Sequence, residues 1–330
     1  MKSHLHNLFN DALSIGVIRT DRIGDMILTL PLCSALKNEF PQKKIILIAN
    51  SYTKPLLKNC TSIDEVYFIN EYNDGIDEIF KKIKIDIAFF PRPKFNECLS
   101  AFKYRIPVRI GTAYRWYSFL FNHKLYEHRK ESKYHEAEYN VRMLSQLFEK
   151  EINFQLIKLY IDFDIKEKIK KIIFDKFGNN NFIIIHPGGA GSAPKWSAEN
   201  FAKLSEKLIH LNIVITGTDN EIEVCNIVEK SCPNSLNLCG KLNLEEMNSL
   251  ISISLLMICN STGVLHIAAA LDKPIVSFFP NTPHLSQKRW GPYSTNNIVL
   301  NPPNGEDDLN LIEVDKAENA ALQLLINTYL

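Results

Sequence analysis

The sequence has no apolar run long enough to cross a membrane. Its longest apolar stretches, such as Ile45–Ala49 and Leu255–Cys259, have the length of strands, whereas a membrane span needs about 20 residues. The first ten residues carry His4, His6 and Asn7 where a secretory signal would need an apolar segment. We therefore expect a cytoplasmic protein with neither a transmembrane segment nor a leader.

Cysteine pairs at metal-binding or redox spacing are also absent. No two cysteines form a C-x-x-C pair, and the seven are scattered at positions 33, 60, 98, 225, 232, 239 and 259. Cysteines placed in this way are typical of reduced thiols that fill small positions in a cytosolic protein core. The sequence therefore predicts no metal site.

The chain carries almost no net charge, because it has 38 basic and 37 acidic side chains. With 45% hydrophobic residues it is not a disordered protein, and the whole-chain balance does not suggest binding to nucleic acid. The total hides an asymmetry, since residues 1–150 have a net charge of +6 and residues 151–330 a net charge of −5. A length of 330 residues favours two domains.

Short apolar runs alternate with helical patterns in each half of the chain, which predicts α/β domains with parallel strands buried on both faces. The predicted strands are Ile15–Ile18, Ile45–Ala49, Val66–Ile69, Ile85–Phe90, Phe182–Ile185, Ile213–Thr216, Leu236–Leu238, Leu255–Cys259 and Ile275–Phe279. The predicted helices include Met26–Phe40, Ala198–Leu211, Asn220–Ser231, Leu244–Ile253 and Gly263–Leu271.

A charged helical segment and the break Gly178–Asn181 separate the two halves. We predict a first doubly wound domain over residues 1–163 and a second over residues 164–310. Residues 311–330 form a C-terminal helix that could pack back on the first domain. In such sheets ligands bind beyond the C-terminal ends of the strands, so the turns that follow strands are the candidate sites.

The turn Arg19-Thr20-Asp21-Arg22-Ile23-Gly24-Asp25 follows the first strand. Gly24 permits a close approach of the backbone. Asp25 has two interpretations: it is an N-cap of the next helix, or it is an ionised carboxylate that accepts a proton from a ligand. Arg19 and Arg22 could bind an anionic ligand or lie on the solvated surface.

Two turns of the second half could bind phosphate and sugar groups. Residues 186–196 are rich in small side chains that leave backbone N–H groups open to phosphate, and Lys195 adds a positive charge; a plain turn is the alternative. In the turn Gly217–Glu221, an acid could bind ribose hydroxyls. Equally, Asp219 or Asn220 could cap the helix, with Glu221 in its first turn.

The turn Asn260–His266 connects a strand to an alanine-rich helix. Ser261, Thr262 and Gly263 could bind a diphosphate through hydroxyl and N–H groups, or the two hydroxyls could cap the helix. His266 would lie in the first helical turn, where a histidine has either a structural or a ligand-binding role.

Taken in order, these turns resemble glycosyltransferase family 9, the bacterial ADP-heptose:lipopolysaccharide heptosyltransferases. The resemblance covers about Ile15 to the end of the chain. Its motifs are Arg19–Asp25, His186-Pro187-Gly188, Lys195-Trp196, Gly217–Glu221, Ser261-Thr262-Gly263 with His266–Ala270, Pro280–Pro283 and Trp290-Gly291-Pro292.

The resemblance implies a GT-B fold, in which two facing Rossmann-like domains flank a cleft, and an inverting sugar transfer that needs no metal and no cofactor beyond the nucleotide-sugar donor. It implies that Asp25 is the general base and that Lys195 steadies the donor phosphates. The donor-binding residues that it implies are Gly188, Gly189, Glu221, Ser261, Thr262, Gly263 and His266.

One residue departs from the family pattern. Ser261 stands where many members have Asp in a D-[ST]-G triplet close to the donor sugar. This leaves two donors open, ADP-heptose with altered contacts or another nucleotide sugar.

The stretch from Arg92 to Lys130 combines nine basic residues with nine aromatic ones and only two acids. Such a surface suits an anionic glycolipid acceptor, Kdo–lipid A or core oligosaccharide, and transient contact with the anionic cytoplasmic leaflet. The candidate acceptor-binding residues are Arg19, Arg22, Gly24, Arg92, Lys94 and Arg115. Single-stranded nucleic acid is the alternative for this stretch alone, although the motif set disfavours it, and at least half of its aromatic residues are expected in the core.

Two further functions compete with sugar transfer. A nucleotide-sugar epimerase with paired Rossmann-like domains would convert the free donor without an acceptor. A non-catalytic binder of anionic glycans or nucleic acid would show salt-sensitive binding that does not need Asp25 or Lys195.

Overall fold

The computed structural model describes residues 2–189 and 193–329. The chain divides into two compact units, Met1–Ile157 and Lys158–Leu330. The division lies in an irregular segment that precedes the helix Phe163–Phe177, whereas the sequence placed the boundary after residue 163. Each unit is described by itself below.

The first unit contains one parallel sheet of six strands in the order β3-β2-β1-β4-β5-β6. The strands are β1 Ser14–Ile18, β2 Lys44–Ala49, β3 Glu65–Phe68, β4 Ile87–Phe89, β5 Val108–Thr112 and β6 His123–Leu125. The helices are α1 Lys2–Asp11, α2 Ile23–Ile27, α3 Leu30–Glu39, α4 Lys54–Leu57, α5 Ile76–Lys82, α6 Phe95–Lys103 and α7 Glu136–Phe148.

The second unit repeats this plan, with six parallel strands in the order β12-β11-β10-β7-β8-β9. The strands are β7 Ile183–His186, β8 Ile213–Ile215, β9 Leu236–Asn237, β10 Leu256–Asn260, β11 Ile275–Phe278 and β12 Asn297–Leu300. The helices are α8 Phe163–Phe177, α9 Ala198–Lys207, α10 Ile222–Ser231, α11 Leu244–Ile253, α12 Gly263–Ala270, α13 Gln287–Trp290 and α14 Val314–Tyr329.

The α/β prediction with parallel strands is therefore confirmed in both units. The central strands β1 and β10 are buried along their whole length, as their continuous apolar runs predict. The sequence missed β5, β6 and β12. Two of these, β6 and β12, are edge strands, and the mixed burial of an edge strand leaves no continuous apolar run to recognise.

The single long helix predicted over Met26–Phe40 is in fact two helices, α2 and α3. Pro31 lies in the first turn of α3, where its missing N–H costs nothing, whereas inside a continuous helix it would remove a hydrogen bond. The break confines Asp25 to a five-residue helix directly after β1.

The C-terminal helix α14 belongs to the core of the second unit. Ala317, Ala321 and Leu324 are buried in one apolar cluster with Trp196 and Phe201, and the helix packs against α9 and the strands β10, β11 and β12. The helix is therefore part of the second unit, whereas the sequence treated residues 311–330 as a separate segment. Its amphipathic pattern predicted a buried face but not the partner. Among the described residues, no helix combines the length and the apolar character needed to span a membrane.

Candidate functional site

The two units place their candidate residues at equivalent topological positions. In each sheet the strand order reverses direction between the first strand of the unit and its fourth, β1 and β4 in one case and β7 and β10 in the other. Turns that leave such a pair of strands diverge and open a crevice, which is where doubly wound sheets bind ligands. The predicted turns 19–25 and 261–263 and the described ends of the predicted turn 187–195 lie at these two positions.

Asp25 is held in a network of buried charges at the first position. Arg19, only 1% exposed, donates through Nη2 to Asp25 Oδ1, and its Nε lies 2.6 Å from Asp21 Oδ1. Arg92, from the turn after β4, contacts Asp21 Oδ2 at 2.5 Å and lies 3.8 Å from Asp25 Oδ2. The N-cap of α2 is Arg22 rather than Asp25. The capping interpretation of Asp25 is therefore wrong, and its carboxylate instead lies between two guanidinium groups.

The environment of Asp25 changes its affinity for protons. Burial raises the pKa of Asp25 above its usual value, the Arg19 guanidinium opposes this rise, and the nearby Asp21 carboxylate adds to it. A raised pKa makes the carboxylate a stronger proton acceptor than an exposed aspartate, while the two arginines favour its ionised form. This combination suits a general base.

The other acceptor candidates of this turn differ in their placement. Arg22 and Arg115 are both exposed, and no contact described for either side chain joins it to the Asp25 network. Gly24 is buried within α2, where its carbonyl accepts a hydrogen bond from the Leu28 N–H. Gly24 is thus an ordinary helical residue here.

A second polar cluster lies beside this network and was largely missed from the sequence. Thr20 donates through its hydroxyl to Glu97 Oε1 and accepts from Lys94 Nζ at 2.7 Å. Glu97 is buried, and Lys94 Nζ lies 3.7 Å from its Oε1. Glu97 and Asp21 were not singled out, because in a basic stretch or turn an isolated acid looks like a solvated surface charge. Only the pairing of β1 with β4 brings them together.

In the second unit, Glu221 closes the turn after β8. Its Oε2 accepts from the Thr218 N–H at 2.8 Å and from the Thr218 hydroxyl at 2.9 Å. Thr218 is the N-cap of the short 3-10 helix Asp219–Glu221, and Glu221 itself occupies the N-cap position of α10, which corrects the assignment of Asp219 or Asn220 as the cap. Burial alone would raise the pKa of Glu221, but hydrogen bonds from Thr218 hold it below its usual value, so Glu221 is a stable anion.

The Glu221 carboxylate also lies against the turn after β7. A Cβ on Gly188 would lie 2.2 Å from the Glu221 carboxylate, so any larger residue here would displace that carboxylate. His186 ends β7, with Nδ1 3.0 Å from Thr216 Oγ1 and Nε2 4.0 Å from Glu221 Oε2. Burial lowers the pKa of His186, which favours the neutral imidazole. The structure thus brings together Gly188 and Glu221, two of the donor-binding residues that the resemblance implies.

Gly189, Lys195 and Thr262 converge at the position between β7 and β10. Lys195 Cε and Thr262 Cγ2 lie 3.4 and 3.5 Å from where a Gly189 Cβ would be. Thr262 occupies the N-cap position of α12 but makes no side-chain capping bond. Its buried Oγ1 has no hydrogen-bond partner among the described residues. The side chain of Thr262 therefore does not cap α12, which corrects the capping interpretation.

The remaining donor candidates surround this point. Ser261 and Gly263 are half-buried on either side of Thr262, and His266 is buried in the first turn of α12, as the sequence predicted. Residues 190–192 of the predicted phosphate loop lie outside the described residues.

Asn260 anchors both ends of that loop, a role that the sequence did not reveal. Its Nδ2 donates to the Pro187 carbonyl at 2.9 Å, and its Oδ1 accepts from the Trp196 N–H at 2.9 Å. Trp196 is buried, stacks on Phe278 at 4.3 Å and donates its indole N–H to the Ile312 carbonyl at 3.0 Å. A polar residue at the end of a fully apolar strand was the available signal.

The basic and aromatic stretch is divided between structure and surface. Arg109 and Arg129 are engaged within the fold, Arg109 with backbone carbonyls and Arg129 with Glu136. Four of the nine aromatic residues pack in or against the core, Phe95, Tyr104, Tyr117 and Phe121. Five are exposed, Phe102, Tyr114, Trp116, Phe119 and Tyr126. Fewer than half of the nine therefore pack in the core, which corrects the expectation of at least half.

Comparison with known proteins identifies the family. The model of glycosyltransferase family 9 (heptosyltransferase) matches residues 96–316, which is more than half of the chain. The chain belongs to glycosyltransferase family 9. A Haemophilus influenzae relative assigned as a glycosyltransferase is 28% identical and aligns over 92% of this chain and 94% of its own length. Lipopolysaccharide heptosyltransferase 3 of Escherichia coli is 25% identical over 84% of each chain.

A solved structure supports the fold assignment of this family 9 enzyme. The Escherichia coli ADP-heptose lps heptosyltransferase II superposes with a TM-score of 0.79 at 21% identity, covering 96% of this chain and all of the other. At that identity the likeness shows a shared fold, and it confirms the predicted GT-B class. The cleft between the domains stays a prediction.

Proposed function

We propose that this family 9 enzyme transfers heptose from ADP-heptose to a hydroxyl of the lipopolysaccharide inner core, with inversion at the anomeric carbon and without a required metal. The observation that carries the proposal is the convergence of Gly189, Lys195 and the unpartnered Thr262 hydroxyl at the start of α12. Helix N-terminal N–H groups, a hydroxyl and an ammonium together suit a diphosphate. The heptosyltransferase relatives support heptose as the transferred sugar.

On the donor side, the residues divide by chemistry. Lys195, Thr262 and the first N–H groups of α12 bind the diphosphate, while the Glu221 anion beside Gly188 accepts hydrogen bonds from ribose hydroxyls. Ser261 lies next to the diphosphate site, where its hydroxyl can offer the sugar one hydrogen bond in place of the usual carboxylate.

On the acceptor side, Asp25 takes the proton from the attacking hydroxyl. The acceptor oxygen forms a bond to the anomeric carbon while the bond from that carbon to the diphosphate oxygen breaks, and ADP leaves with the electron pair. Arg19 and Arg92 orient Asp25, and Arg19 Nη1, buried without a partner among the described residues, can bind an anionic acceptor group. Lys195 and the N–H groups near Thr262 stabilise the charge that develops on the leaving diphosphate.

The exposed aromatic surface supports transient binding to an anionic membrane that carries the glycolipid acceptor. Trp116 is 74% exposed and Phe119 64% exposed, and Arg115 and Lys124 are exposed nearby in sequence. Exposed rings beside cationic side chains suit the headgroup region of an anionic leaflet.

Mass spectrometry of an acceptor incubated with enzyme and nucleotide sugar tests the proposal. Deacylated Kdo–lipid A and inner-core oligosaccharide should each be offered with ADP-heptose and with a panel of other nucleotide sugars, in the presence and absence of EDTA. Addition of heptose that persists in EDTA, with a new anomeric configuration by NMR, is the expected result. Transfer from another nucleotide sugar alone would refute the donor assignment. Conversion of the free donor without acceptor would indicate an epimerase.

A further inference from the structure

An open pocket of about 330 Å³ lies on the first unit, beside the Asp25 network. Its polar residues are Thr20 from the turn after β1, Lys94 from the turn after β4, and Glu97 from the first turn of α6. Glu97 is only 4% exposed, although its pocket is open to solvent. The Glu97 carboxylate has lost most of its water, and its described partners, the Thr20 hydroxyl and Lys94, both approach Oε1.

The other residues that line the pocket have a different character. Asn50 and Asn96 contribute amide groups, and Ile69 and Ile76 contribute an apolar surface. Amides and a carboxylate can bind neighbouring hydroxyls, while isoleucine side chains can cover the C–H face of a ring.

We propose that this pocket binds a sugar ring of the acceptor through its uncharged hydroxyl groups, and that Glu97 is the residue that selects this ring. The inference rests on the proposed transfer and specifies its acceptor side. Lys94 and Glu97 together have no net charge, so the Glu97 carboxylate would repel an anionic group and the Lys94 ammonium would repel a cationic one. A hydroxyl can accept from the one and donate to the other.

The contacts within the cluster leave capacity for a ligand. The distance of 3.7 Å between Lys94 Nζ and Glu97 Oε1 is too long for a hydrogen bond. Lys94 is 46% exposed and can therefore turn toward a ligand. Burial raises the pKa of Glu97 above its usual value. Carboxylates whose pKa is shifted by burial are concentrated at functional sites.

The pocket is also in the right place for an acceptor. Thr20, which forms one wall, directly follows Arg19, the partner of Asp25. The Asp21 carboxylate raises the pKa of both Asp25 and Glu97, so it lies within electrostatic range of each. A ring that fills the pocket thus lies beside the turn that carries the proposed base.

Acceptor binding by the full chain tests this assignment. Deacylated Kdo–lipid A and deacylated inner-core oligosaccharide are titrated calorimetrically, without donor, into wild type, Glu97→Gln, Asn96→Ala and the control Glu78→Gln. Glu78 pairs with Lys82 on α5 and does not line the pocket. Loss of a hydrogen bond to a charged group should weaken binding about 10- to 100-fold in Glu97→Gln, and loss of the exposed amide about 2- to 10-fold in Asn96→Ala.

Three further results distinguish the outcomes. Glu97→Gln should raise the acceptor KM more than it lowers kcat, and it should leave ADP affinity and thermal stability at wild-type level or above. Unchanged oligosaccharide binding in both variants, or no binding by wild type, would overturn the proposal. The titration needs no donor, so it tests the role of the pocket even if the wild-type enzyme transfers no heptose. Absence of heptose transfer would instead refute the proposed function.

Discussion

Replacing Asp25 by Asn removes one negative charge from between two arginines and leaves the shape of the side chain nearly unchanged. If Asp25 accepts the proton of the attacking hydroxyl, kcat should fall by about 10²- to 10⁴-fold, the usual contribution of a positioned general base. The affinity for ADP should not change, because Lys195, Thr262 and Glu221 in the second unit are expected to bind it.

The structure also limits the effect of this substitution on stability. Removing one partner from a buried ion pair typically costs about 3–5 kcal/mol. Here Arg19 keeps Asp21 at 2.6 Å, and the repulsion between Asp21 and Asp25 disappears. The loss in the free energy of unfolding should therefore lie below that range and can be measured by urea denaturation.

The pH profile gives the decisive assay. Only ionised Asp25 can accept a proton, so wild-type kcat/KM should fall as the pH drops through the pKa of Asp25. Because burial raises this pKa, the fall should begin at a higher pH than for an ordinary aspartate, and it should be absent in Asp25→Asn. The exposed Asp74→Asn is the control. A folded Asp25→Asn enzyme that keeps more than a tenth of wild-type kcat would refute the assignment.

Three other substitutions test the donor site and the membrane surface. Gly188→Ala should displace the Glu221 carboxylate and weaken ADP binding about tenfold in calorimetry. The double variant Gly188→Ala/Glu221→Ala should bind ADP almost as well as Glu221→Ala alone, and a further tenfold loss of affinity in the double variant would contradict a role for the Gly188–Glu221 contact. Thr262→Val should weaken ADP binding about tenfold without lowering stability, because the hydroxyl has no partner among the described residues; unchanged ADP affinity would exclude the hydroxyl from the site. Trp116→Ala with Phe119→Ala should reduce sedimentation with anionic vesicles while activity on a deacylated acceptor persists, and unchanged sedimentation would rule out this surface.

The sequence predicted those parts of the fold that depend on local pattern. Continuous apolar runs located the central strands, and small or polar residues after them located the turns. It could not assign Asp25 between cap and base, because both roles put an acid in the first turn of a helix. The ion pair of Asp25 with Arg92, which a capping role would not predict, depends on β1 lying beside β4.

The same limit applies to Glu97 and α14. Glu97 looked like one acid among many basic residues, and its burial against Thr20 arises only when the turn after β1 meets the start of α6. The apolar face of α14 was visible in the sequence, but its partner was decided by the large side chains Trp196 and Phe201 in the second unit. Local patterns report which face of an element is buried, whereas tertiary packing decides what buries it.

The charge asymmetry of the chain bears on how each substrate would be bound. The half with a net charge of +6 contains the proposed acceptor site, and its field can attract an anionic glycolipid over distance. The donor is also anionic, yet its proposed site lies in the half with a net charge of −5. Long-range attraction therefore cannot account for donor binding, and the affinity must come from short-range contacts at Gly189, Lys195 and Thr262. This is the arrangement in which loss of a single uncharged hydroxyl has a measurable effect.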